Sequence, residues 1–179
     1  MVYLGHPLNF GHTNIIKYCN RPFESIQEMD AELIRRWNVC VKPDDKVYHL
    51  GDFCRGDKKK YLSRLNGQIT VLKGSHDKDF SALHLDSMLT ISPIKDEYGN
   101  PRSIVMCHYA MRSWHHSHYA SWHLFGHHHG RLEPYGLSFD VGVDCWNYYP
   151  VSLEEVAKKM KTLVPFVDYR KNGQHHESE

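Results

Sequence analysis

The sequence has no long apolar run, so it offers no segment able to cross a bilayer as a helix. Its start, MVYLGHPLNF, carries neither the basic region nor the extended apolar stretch of a secretory signal. A soluble, cytoplasmic protein with no membrane partner is expected. The chain also lacks any C-x-x-C pair. Its cysteines, Cys19, Cys40, Cys54, Cys107 and Cys145, are odd in number, which argues for free thiols and against a disulfide framework or a thiolate zinc site. Charge of one sign is scarce: 22 Lys+Arg face 21 Asp+Glu. Such a balance provides no broad basic surface for nucleic acid, which is expected only as a substrate. The one basic run, Lys58 to Lys60 beside Asp57, reads as the solvated face of a short helix. Internal repeats and low-complexity linkers are missing as well. At 179 residues the chain fits one domain, placed at 1–170 with a polar tail at 171–179.

Histidine is what the chain has in excess, with 15 residues. Imidazole is the commonest metal ligand and titrates near neutrality, so the excess directs attention to metal chemistry. Where these histidines fall depends on the elements around them. Ser25 followed by Glu28 is a capping-box pattern, and Ile26, Met29, Leu33, Ile34 and Trp37 recur at helical spacing, predicting a helix from Ser25 to about Asn38. Ser152 with Glu155 repeats the pattern ahead of Val156, Met160 and Leu163, in a helix that ends before Pro165. A shorter helix is expected over Lys59 to Leu65, stopped by Asn66-Gly67. Short β-branched and aromatic runs read as strands at Val2–Leu4, Val47–Leu50, Ile69–Leu72, Ser103–Cys107, Trp122–Phe125 and Phe139–Val143. The mixture predicts an α/β fold with mixed sheets covered by helices.

Four of these strands end on polar residues: Gly51-Asp52, Gly74-Ser75-His76-Asp77, His108, and Gly126-His127-His128-His129. In open α/β sheets, side chains converge at the carboxyl ends of strands. Taken singly, Asp52 reads equally as a turn cap and His108 as a hydrogen-bonded histidine at the core edge. His127 and His129, two apart, lie on one side of an extended segment while His128 faces away, which suits two ligands of one ion or one for each of two. Together the four strand ends deliver the oxygen and nitrogen donors that a divalent cation requires.

The ordered set GD at Gly51-Asp52, GSHD at Gly74–Asp77, His108 and GHHHG at Gly126–Gly130 resembles the motifs of the calcineurin-like metallophosphoesterases, D-x-H, GD, GNH(D/E), H and GHxH. The stretches FGHTNIIKYCNRPF and DVGVDCWNYYPVSLEE are similar to the small single-domain bacterial and phage members. The resemblance spans nearly the whole chain and implies an αββα sandwich of mixed sheets, a metal-dependent phosphoesterase and a phosphate-containing substrate. It also implies one or two divalent ions, manganese foremost, with zinc, iron, nickel or magnesium as alternatives. In the family, two ions roughly 4 Å apart bind phosphate and activate water for in-line attack.

Two motifs depart from the family pattern. Pro7-Leu8-Asn9 stands where D-x-H belongs, and Ser75 replaces a metal-binding asparagine. By resemblance, the first ion is left with Asp52, His129 and the poor donor Asn9. The second keeps Asp52, His108 and His127, with Ser75 a poor fourth. His76 is implied as the group that stabilises the transition state or protonates the leaving oxygen, and Asp77 as the group that orients its ring. His6 or His12 is a candidate replacement ligand, and His12 also a substrate contact. Arg21 is expected to touch phosphate or to serve structurally. His115, His116 and His118 border the cleft or lie in a solvated loop. An alternative function is a catalytically inactive binding or regulatory protein on the same fold. Another is a recent first-motif change, reversible by Pro7→Asp with Asn9→His.

Overall fold

The computed structural model describes residues 1–5, 8–77, 87–96 and 98–166. The expectations for His6, Pro7 and the tail at 171–179 lie outside them. In chain order the elements are β1 (Val2–Gly5), α1 (Thr13–Tyr18), α2 (Ile26–Cys40), β2 (Lys46–His49), α3 (Lys58–Leu62), β3 (Gln68–Val71), β4 (Met88–Lys95), β5 (Pro101–Cys107), β6 (Trp122–Phe125), β7 (Ser138–Asp140), a 3-10 turn (Val143–Cys145), β8 (Val151–Ser152) and α4 (Leu153–Met160). They form two four-stranded sheets, ordered β3-β2-β1-β8 and β4-β5-β6-β7. Each sheet is mixed. In the first, β1, β2 and β3 pair in parallel and β8 adds antiparallel. In the second, β5, β6 and β7 are parallel and β4 is the antiparallel edge.

Strand alternation decides the layering. Tyr3, Val47 and Val71 face a core shared with Ile15 of α1 and with Met29, Leu33 and Trp37 of α2. The next residue of β1, Leu4, points to the opposite face and meets Ile104, Met106, Leu124 and Val156 of the second sheet and α4. Helices therefore cover one face of the first sheet, while its other face packs on the second.

The helix caps act as their sequences require. The Ser25 hydroxyl accepts the Glu28 N–H, and Ser152 and Glu155 form a reciprocal capping box. Lys58–Lys60 do lie on a short helix, with Asp57 accepting the Lys59 N–H. It ends at Leu62, earlier than the expected Leu65.

Three elements escape a reading by periodicity. Helix α1 buries only Ile15 and has no side-chain cap. Strand β8 is two residues long. Strand β4 contains Pro93, which cannot donate to a ladder and sits at a register shift between Ile91 and Ile94, an arrangement an edge strand tolerates.

Candidate metal centre

The parallel pairing of β2 with its neighbours and of β5 with β6 sends their carboxyl ends to one edge. There Asp52, His108 and His127 bring a carboxylate oxygen and two imidazole nitrogens within 4.8 Å of one another. The approach depends on two glycines. A Cβ on Gly51, at φ +95°, would lie 2.5 Å from Gly74 Cα, and one on Gly74 would lie 2.2 Å from the Asp52 nitrogen. Only hydrogen at both positions lets the two loops pass.

The His108 ring is oriented by its surroundings. Its Nδ1 lies 3.0 Å from the Leu50 carbonyl, an acceptor only, so Nδ1 carries the proton. Nε2 is then turned to the other side, 3.1 Å from His127 Nδ1 and 3.3 Å from Asp52 Oδ2. A ring whose far nitrogen donates to a fixed carbonyl is the arrangement that presents a metal-ligating imidazole. Asp52 is correspondingly charged. Burial opposes ionisation, yet His108, the His76 N–H at 2.8 Å and the Ser75 hydroxyl at 3.0 Å together hold the carboxyl well below its usual range. Burial, followed by the neighbouring His108, lowers the His127 pKa and favours the neutral form a cation requires. Four of the candidate ligand residues share a backbone feature too. Asn9, Asp52, His127 and His129 all have positive φ, at 54°, 51°, 63° and 52°. This region is uncommon for non-glycine residues and clusters at functional sites.

Other expected residues lie around this group. Asn9 is buried beside it, its N–H donating to the Asp52 carbonyl at 3.1 Å. The Asn9 Nδ2 is buried without a hydrogen-bond partner among the described residues. His12 is buried, 6.2 Å from the His76 ring between centroids, and burial followed by Arg55 lowers its pKa. His76 stands exposed at the rim. His115, His116 and His118 are exposed in the loop before β6, the blander of the two placements.

Three expectations need correction. The Asp77 carboxylate was expected to steer the His76 ring; instead Oδ2 accepts the Asp52 and Gly74 N–H groups at 2.6 and 2.9 Å, and Oδ1 accepts that of Phe53 at 3.4 Å. It ties two site loops together because their turning backbones leave N–H groups that no ladder satisfies. Arg21 is not a phosphate contact. It is buried, with Nε and Nη2 donating to Asp144 at 2.8 and 2.9 Å and Nη1 to the Leu8 carbonyl at 2.9 Å. His129 falls instead in a second group with Cys19 and Asp144, its Nδ1 meeting Asp144 Oδ2 at 2.7 Å. Burial works against an imidazolium there, but Asp144 and Cys19 outweigh it and raise the His129 pKa to about 9.

Sequence reading missed Asp140, Asp144 and His49. Asp140 accepts the Gly130 N–H at 3.0 Å and that of Gly142 at 2.7 Å, which fixes the far end of the histidine loop. His49 lies wholly buried beneath Asp52, its pKa pushed down to about 4 by burial. Its place in strand β2, one residue before Leu50-Gly51-Asp52, was the available signal.

No family model matches the chain. It is 34% identical over 169 residues to the uncharacterized protein MJ1445 of Methanocaldococcus jannaschii, covering 88% of this chain and 89% of that protein. Its fold is similar to the crystal structure of the protein of unknown function AQ665 from Aquifex aeolicus, with a TM-score of 0.65 and 23% identity, over 89% of this chain and 98% of that one.

Proposed function

The chain belongs to the family of the Methanocaldococcus jannaschii protein MJ1445, and from the geometry of its strand ends we propose that it is a metal-dependent phosphoesterase on a metallophosphoesterase-like αββα fold. The observation that carries this reading is the His108 ring, held through Nδ1 by the Leu50 carbonyl so that Nε2 meets Asp52 and His127. The donor set fits a divalent cation: one ionised carboxylate and two imidazoles, from three rigid strand ends, leave open coordination positions. Manganese, zinc, iron and nickel suit this oxygen-and-nitrogen set; magnesium, which prefers oxygen alone, suits it least. A cation held there supplies Lewis acidity, drawing charge from a phosphoryl oxygen and easing deprotonation of water.

The chain's own groups do the rest. Asp52 binds through an oxygen while Ser75 and the His76 N–H fix its angle. Exposed His76 meets the leaving oxygen of a phosphomonoester or phosphodiester and supplies its proton. His12, kept neutral by burial, borders that position. Asp77 positions the loops and takes no part in proton transfer.

The test combines manganese binding with hydrolysis of p-nitrophenyl phosphate and bis-p-nitrophenyl phosphate. Metal-dependent turnover that disappears in Asp52→Asn is expected. Turnover indifferent to that change sinks the proposal. One observation favours a second reading, an inactive binding module: neutral, orphaned Asn9 occupies a position where the resemblance implies imidazole. Cation binding with no turnover under any divalent metal would select it.

A further inference from the structure

We infer a second cation site, built from Cys19, His129 and Asp144, that takes a thiophilic divalent ion such as zinc. Their sulfur, nitrogen and oxygen donors lie within 4.8 Å of one another, and the set shares no residue with Asp52, His108 and His127. Three distant segments supply it: Cys19 caps the carboxyl end of α1, His129 follows β6, and Asp144 sits in the 3-10 turn. The absence of a C-x-x-C pair excludes a thiolate pair but not one thiolate delivered by the fold.

The chemistry of the three donors selects the ion. A thiolate favours zinc and disfavours manganese and magnesium, whereas the Asp52 group contains no sulfur. Tetrahedral zinc with bonds of about 2.0–2.3 Å holds its donors roughly 3.5 Å apart. The His129–Asp144 contact, at 2.7 Å, must therefore open slightly, which a side-chain rotation accomplishes. Arg21 fixes the Asp144 carboxylate from behind, taking one lone pair from each oxygen and leaving another on each. It also cancels one charge; binding releases the His129 and Cys19 protons to water, and the ion then meets a net single negative charge from thiolate, carboxylate and guanidinium. Cys19 is half-buried, and three donors on a tetrahedral ion leave a fourth position for water. Occupancy would clasp α1 to the histidine loop.

Cobalt(II) titration of the reduced, metal-free full chain tests the site, since cobalt adopts zinc-like geometry and reports thiolate ligation by a charge-transfer band. The expected result is a band that saturates at one equivalent, is displaced by zinc, disappears in Cys19→Ser and persists in Asp52→Asn. A band absent from the parent, surviving in Cys19→Ser or lost in Asp52→Asn overturns the inference. A second measurement requires no variant: zinc should slow alkylation of Cys19, read by peptide mass spectrometry, and equal rates with and without zinc count against the site. Neither readout involves hydrolysis, so its failure is separable from failure of the phosphoesterase reading.

Discussion

Arg21 offers a sharp contrast between a structural and a substrate-binding role. Replacing it with Met keeps the volume of the stem but removes the guanidinium from a place where the side chain has no solvent exposure and that of Asp144 has 8%. Asp144 loses two charge-assisted hydrogen bonds and keeps His129, while the Leu8 carbonyl loses its donor. Breaking a buried pair by removing one partner costs about 3–5 kcal/mol, because the remaining charge is left uncompensated. Arg21→Met should therefore lower the unfolding free energy by that amount, read as a lower urea midpoint at an unchanged denaturant slope. Adding Asp144→Leu should return most of the loss, since the stranded charge disappears with its partner. If Arg21→Met unfolds within about 0.5 kcal/mol of the parent, the range of an ordinary surface change, and loses only phosphate affinity, the structural role assigned here is refuted.

Three further outcomes are expected. His108→Ala should weaken manganese binding by more than the roughly 10–100-fold that loss of an outer contact costs, whereas His128→Ala should leave it unchanged; calorimetric titration compares them, and equal effects would contradict the ligand set. Gly74→Ala, whose Cβ would lie 2.2 Å from the Asp52 nitrogen, should destabilise by about 1–3 kcal/mol or more, as overpacking does; a parent-like denaturation midpoint would disprove the close approach. His49 has a folded pKa of about 4 against an ordinary 6.5, so between those pH values the unfolded chain binds a proton that the folded chain refuses. Its stability contribution is present above pH 6.5 and falls as pH drops through that window. The metal-free parent should thus lose stability more steeply than His49→Leu, and identical pH profiles would exclude the effect.

The sequence made Asp52, His108 and His127 legible because each lies just beyond the carboxyl end of a strand, and strand ends in parallel sheets converge. It misplaced His129 for a backbone reason. The rule that residues two apart share a side presumes an extended chain, and His127 and His129 instead have positive φ. Arg21 and Asp144 are 123 positions apart, so their pairing has no local signature. Asp77 looked catalytic because it adjoins a histidine, yet the unsatisfied N–H groups of two turns claim its carboxylate. Among the elements, capped helices with a buried stripe were legible and α1, with one buried side chain, was not.

The left-handed backbone shared by Asn9, Asp52, His127 and His129 also bears on how such a centre drifts and returns. At these positions a β-branched residue would be strained, whereas glycine, asparagine, aspartate and histidine are accommodated. Residues that spare these loops are therefore drawn from a short list, and asparagine and histidine are both on it. Asparagine and histidine codons differ by a single base. Position 9 thus stands one nucleotide from an imidazole on a backbone already shaped to carry it.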